Sequence, residues 1–132
     1  MGRTAFIFLL AVSLAMPLSL GCSKQKEKPE ESRGSVNLML DPIVVNLADH
    51  ETRYLRVTIG LELADEKDKA VVEKEIQKVR DGLLMLLSCK YYEGMMRLDG
   101  KIRLKNEIAE MVDGVLKKKG VIKVYFTEFI AQ

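Results

Sequence analysis

Between Arg53 and Leu63 the chain alternates apolar and polar residues without a break. Leu55, Val57, Ile59, Leu61 and Leu63 fall on one face, and Tyr54, Arg56, Thr58, Gly60 and Glu62 on the other. A period of two with β-branched residues predicts a half-buried strand. Upstream, Val36–Leu40 and Ile43–Leu47 are also rich in strand formers and are separated by Asp41-Pro42. Pro42 has no N–H to donate, so it belongs at a strand start or an edge. The polar gap Ala48–Thr52 suggests that the flanking strands pair antiparallel.

At Ala64 the period changes. Asp65 can cap a helix, with Glu66 and Asp68 in a first turn where the macrodipole favours negative charge. Val72, Ile76, Val79, Leu83 and Leu86 then recur in steps of four and three, which predicts one helix running to about Ser88. Leu84, Met85 and Leu87 widen its apolar arc. Lys90–Leu98 is a connecting segment with room for a short helix. A second main helix starts at Asp99-Gly100, with Leu104, Ile108, Met111 or Val112, and Val115 on its apolar face. Lys117, Lys118 and Lys119 close its last turn, and Gly120 is placed as a left-handed residue after it. Val121–Ile130 predicts a last strand. Ile122, Val124, Phe126 and Ile130 fall on one face, and Lys123, Tyr125, Thr127 and Phe129 on the other. Aromatics on both faces predict a central strand. The fold class is therefore α+β: a small, mostly antiparallel sheet packed against two main helices, in the order β-β-α-α-β.

The first 22 residues follow another pattern. A basic start at Arg3 precedes an uncharged apolar stretch from Thr4 to Leu20, then Gly21-Cys22. That is the layout of an export signal. Two readings stay open. In one, Cys22 is the lipid-attachment residue after a lipobox-like end, although Ser19 and Leu20 depart from the usual pattern there. In the other, the segment is an uncleaved single-pass anchor, weakened near its end by Pro17. Residues 23–35 are polar and charged and predict a flexible linker. Residues 36–132 then form one domain outside the cytoplasm.

Composition adds exclusions. Net charge is only +2, with 21 Lys and Arg against 19 Asp and Glu, which argues against nucleic acid. The only histidine, His50, sits between Asp49 and Glu51 in a polar turn and reads as a solvated surface residue. Nothing shows metal-ligand spacing, a phosphate loop or a paired nucleophile and base. The expectation is no enzyme, no cofactor, no metal and no small-molecule substrate. Cys89 ends an apolar helical pattern and reads first as a small buried hydrophobe, with an exposed reactive thiol as the other reading. The stretch containing Leu83, Leu84, Leu87, Tyr91, Tyr92, Met95 and Met96 is the candidate oligomer or partner surface, with burial in the core as the competing reading.

Four segments, in order, resemble the FliL family. They are Asp41–Leu47 with Arg53–Val57; Val79–Ser88, which carries Arg80 and Asp81; Gly100–Ile108, which carries Gly100, Leu104 and Glu107; and Val124–Gln132, which carries Phe126, Thr127, Phe129 and Gln132. The resemblance implies a stomatin-like periplasmic domain on one N-terminal membrane segment. It also implies a homo-oligomeric ring at the flagellar basal body that associates with the stator and supports torque, swimming or swarming, with no known catalysis. Asp113 and Ile43 depart from residues common in the family, Asn and Phe. Cys22 is the larger departure. A lipid anchor with Ser23 after it permits outer-membrane delivery, whereas a retained helix implies the inner membrane. The competing reading is an envelope lipoprotein with a binding or scaffolding role unrelated to motility.

Overall fold

A computed structural model of the chain describes residues 34–132. Cys22, most of the linker and the His50 side chain lie outside the described residues. The elements are β1 (Val36–Met39), β2 (Ile43–Leu47), β3 (His50–Leu63), α1 (Glu66–Lys74), α2 (Ile76–Ser88), α3 (Tyr92–Met96), α4 (Leu98–Leu116) and β4 (Val121–Ala131). The domain is α+β, with a four-stranded antiparallel sheet covered on one face by the helices.

β3 is the axis of the sheet. On one edge it pairs with β1, from Val36 opposite Leu63 to Met39 opposite Gly60, and further along with β2, from Ile43 opposite Val57. On its other edge it pairs with β4, from Leu55 opposite Ala131 to Leu63 opposite Val121. Asp41-Pro42 falls in the gap between β1 and β2, on the outer edge, where a missing N–H breaks no ladder. The alternation read in Arg53–Leu63 holds: Leu55, Val57, Ile59, Leu61 and Leu63 are all at most 1% exposed. Ile43, Val45 and Leu47 extend this face, and Val79, Leu83, Leu87, Leu104, Ile108 and Val112 complete the core.

The expectation of a central last strand is overturned, because β4 pairs with β3 alone among the described strands. Its face assignment changes as well. Register shifts at Thr58/Ile59 and Glu62/Leu63 leave Thr127 and Ile122 as extra residues on β4. One extra residue flips the faces beyond it. Phe126 and Phe129, predicted on opposite faces, therefore both sit opposite core residues, Ile59 and Val57.

The first predicted helix is two. Asp65 caps α1, its Oδ1 accepting from the Asp68 N–H at 2.9 Å, and that bond holds the Asp65 carboxyl below its ordinary range. The chain then bends at Glu75 (φ −100°, ψ 21°). The bend lets α1 cover β1 while α2 lies on β2. The predicted stripe continues through the bend to Val79 and Leu83, and its last fully buried residue is Leu87, with Leu86 only partly buried.

At the end of α4 the left-handed residue is Lys117 (φ 57°), not Gly120. Gly120 is needed for space: a Cβ there would lie 2.7 Å from Asp68 Oδ2 and from Leu116 Cδ1. Lys118 does more than complement the helix end. Its Nζ lies 2.6 Å from the Oδ1 of Asp68, a carboxylate only 2% exposed as a side chain. Asp113 Oδ1 accepts from the N–H groups of Gly120 and Val121, both at 2.9 Å, and fixes the turn into β4. An Asn amide oxygen could accept both bonds in the same way. Asp113→Ala is expected to cost about 2 kcal/mol, since two part-buried donors lose their acceptor. Asp113→Asn should cost much less, and urea unfolding of the two variants checks the difference.

Candidate partner-binding surface

The candidate surface spans the last two turns of α2, the link to α3 and the start of α4. The structure divides its predicted residues. Leu83 and Leu87 are fully buried and Met95 is 4% exposed, so all three belong to the core and are withdrawn from the surface. The reason is periodicity: Leu83 and Leu87 continue the α2 stripe, and Met95 faces the core from α3. Leu84 and Tyr91 stay exposed, while Tyr92 and Met96 are half-buried. Met85, Leu98 and Ile102 are also exposed apolar side chains. The spacing of Leu98 and Ile102, four apart and off the Leu104–Ile108 stripe, was a signal for a second apolar strip on α4 that sequence reasoning passed over.

Polar contacts hold this end together. The Arg53 guanidinium lies 4.5 Å from the Tyr92 ring centroid. Asp49 Oδ2 accepts from the Tyr92 N–H at 3.0 Å and so caps α3. The Ala48 N–H donates to the Lys90 carbonyl at 3.0 Å, and Lys90 forms an ion pair with Glu107 of α4. Gly100 meets the backbone of α3, where a Cβ would fall 1.8 Å from the Gly94 carbonyl oxygen. The link between α2 and α4 is therefore a fixed corner. Cys89, read first as buried, is exposed at the C-cap of α2, two residues past the buried Leu87 and off its stripe.

The other motif residues act mainly in the fold. Arg80 Nη1 donates to the Asp41 carbonyl at 3.4 Å, tying α2 to the gap beside Pro42, while Asp81 is exposed. Leu104 is a core residue. The Phe126 and Phe129 rings lie 5.1 Å apart. Lys105 and Lys101 of α4 extend over them, at 5.3 and 5.1 Å from the ring centroids. Thr127 Oγ1 donates to the Thr58 carbonyl at 3.3 Å across the bulge. Gln132 exchanges both backbone bonds with Tyr54, and its Oε1 accepts from the Tyr54 hydroxyl at 3.0 Å.

The sheet face away from the helices is open. Val44 and Ile130 flank Arg56 there, and Met39 and Tyr125 flank Gly60. Arg56 pairs with Glu128 at 3.2 Å. The Tyr125 hydroxyl donates to Glu62 at 2.6 Å, which holds that carboxyl below its usual range and pushes the phenol up.

Residues 38–132 match the family described as flagellar basal body-associated protein FliL. The chain belongs to the FliL family. The match runs from within β1 to the last residue, so it takes in β2, β3, β4 and every helix described above. "Flagellar protein FliL" of Aquifex aeolicus (strain VF5) is 37% identical over 92 residues, covering 69% of this chain and 57% of that relative. The chain thus spans little more than half of the Aquifex protein's length. "Flagellar protein FliL" of Bacillus subtilis (strain 168) is 26% identical over 125 residues, covering 92% of this chain and 88% of its own. Among the described residues no helix is long and apolar enough to cross a membrane, and no group of three or more His, Cys, Asp and Glu is placed to hold a metal.

Proposed function

We propose that this chain is a non-enzymatic accessory of the flagellar motor. Its N-terminal segment holds the domain at the periplasmic face of the inner membrane. There it forms a homo-oligomeric ring that associates with stator units and supports torque. The observation that carries this reading is the family match across residues 38–132, which covers the folded domain from β1 onward. Two FliL relatives from distant bacteria point the same way.

The anchor is Cys22 if a lipid is attached there, or residues 4–21 if the segment is retained as a helix; a lipid would also open delivery to the outer membrane. The linker of residues 23–35 sets how far the domain stands off the bilayer. Leu84, Met85 and Tyr91 offer exposed apolar side chains beside a rigid corner, which suits contact with a protein surface.

The test is torque from single motors in a strain that lacks the gene but still assembles flagella. Torque under load is expected to fall and to be restored by the full gene, but not by a version without residues 1–35. Leu84→Lys, which alters an exposed site without disturbing the core, is expected to restore torque only partly. Unchanged torque in the deletion strain at every load would remove the motor reading.

A further inference from the structure

We propose that the groove between α1–α2 and α4 is a docking slot for a helix of a partner protein, one with an apolar stripe flanked by acidic side chains. The groove lies away from the α2–α3 corner, and the inference goes beyond the motor reading: it holds for this domain whichever machine uses it. Its volume is about 590 Å³, and Val71, Met111, Val115 and Leu116 supply apolar lining.

Gly82 and Gly114 also line the groove, and they differ. A Cβ on Gly82 would lie 2.8 Å from Met111 Sδ, so that glycine lets α2 approach α4. A Cβ on Gly114 would meet nothing within 4 Å, and no glycine among the described residues has positive φ. Glycine destabilises a helix relative to alanine. Among the described residues no close packing offsets that cost at Gly114. What its missing Cβ provides is bare helix backbone on a groove wall, and the beneficiary is a group arriving from outside, since glycine permits close approach of backbone to a ligand.

Charge selects the visitor. Lys74, Lys78 and Lys117 all lie near enough to Glu75 to hold its carboxyl below the ordinary range, the hydrogen bond from Lys78 contributing most. Of these, Lys78 and Lys117 line the groove, and Lys78 pairs with Glu75 at 2.5 Å, so two cations meet one carboxylate there. Of the other acids on α1, Asp68 is already held by Lys118 at 2.6 Å, and neither it nor Glu73 lines the groove. A positive rim over an apolar floor complements acidic flanks on an apolar helix stripe. The shape separates this from a bilayer: a flat lipid surface leaves a recess unfilled, whereas a helix cylinder enters it.

The experiment uses the full chain in nanodiscs of zwitterionic lipid, with methionine methyl groups labelled for NMR. The probe is a synthetic helical peptide of about 15 residues, long enough to form a helix on binding. It carries Leu at i, i+3, i+4 and i+7 and Glu at the flanking positions. The Met111 methyl is expected to shift on titration, while Met39, on the open sheet face, does not. A peptide with Lys in place of Glu should bind at least ~10-fold more weakly, as a matter of charge complementarity. Gly114→Ala should weaken the acidic peptide several-fold while raising Tm by a few degrees, a combination that loss of folding does not produce. A silent Met111, equal binding of both peptides, or unchanged binding by Gly114→Ala would overturn the proposal. So would an absence of peptide binding joined to a change in self-association in Gly114→Ala, which would assign the groove to a second copy of the chain.

Discussion

Replacing Gly100 by alanine is expected to lower the stability of the domain by about 3 kcal/mol or more, at the upper end of what overpacking does. The added Cβ would fall 1.8 Å from the Gly94 carbonyl oxygen, with the Gly94 carbonyl carbon and Met95 Cα just beyond. These are backbone atoms, so no rotamer change relieves the contact. α3 must move as a unit, and it carries the buried Met95 and the ring of Tyr92 held beneath Arg53. Alanine's better helix propensity contributes at most about 1 kcal/mol the other way. Gly94→Ala is the control. Its Cβ meets nothing within 4 Å, so that variant should be as stable as the parent or slightly more so. Thermal and urea unfolding of the pair separate a steric effect at one contact from a general intolerance of the α2–α4 link.

The second large effect distinguishes two neighbouring leucines. Leu83→Ala should cost about 2–5 kcal/mol, the range for truncating a leucine whose surroundings cannot collapse around the void. Leu83 is fully buried, in contact with the sheet core. Leu84 is 39% exposed, and Leu84→Ala should cost about 1 kcal/mol or less. In Tm the first amounts to about 8–20 °C and the second to only a few degrees. If the two variants unfold alike, the orientation of α2 about its axis is wrong. Under the proposed motor role the same pair is informative, because a torque defect in Leu84→Ala without a stability defect would be a defect of contact.

The α2 stripe also shows where sequence patterning stops. Period-two alternation over Arg53–Leu63 matches the burial residue by residue, because a strand's side chains alternate whatever surrounds it, although β3 starts earlier, at His50, within the predicted polar gap. Helical periodicity was read correctly in α4, where Leu104, Ile108 and Val112 are buried. It failed in one respect between Val72 and Ser88. Val72, Val79 and Leu83 are buried as predicted on both sides of the bend at Glu75, but in the apolar run Leu83–Leu87 a step of three or of four fits equally well. Packing against the sheet selects Leu87 for full burial and leaves Leu86 partly buried, a choice that the pattern does not make. The β4 faces went wrong for a related reason. A bulge adds one residue on one strand, and Thr127 and Ile122 do not differ in type from their paired neighbours. The corner at Gly100 was visible as a motif residue, but its reason was not, since the contact spans two elements and consists of backbone atoms. The family was legible before the fold, because its motifs record those contacts without explaining them.

The position of β3 has a consequence for how the molecule comes into being. The strand is complete once Leu63 has been synthesised, and β1 and β2 can already lie along one of its edges. Its other edge is filled only by Val121–Ala131, after residues 64–120 have been made. At ribosomal rates of about 5–20 residues per second, that edge waits for several seconds. An unpaired apolar strand is a template for pairing with any other chain in reach. The nascent polypeptide therefore passes through an interval of real aggregation hazard, and a holding factor that keeps it extended until its final strand emerges removes that hazard. On the proposed periplasmic placement, the same lag keeps the chain unfolded for passage through a translocon.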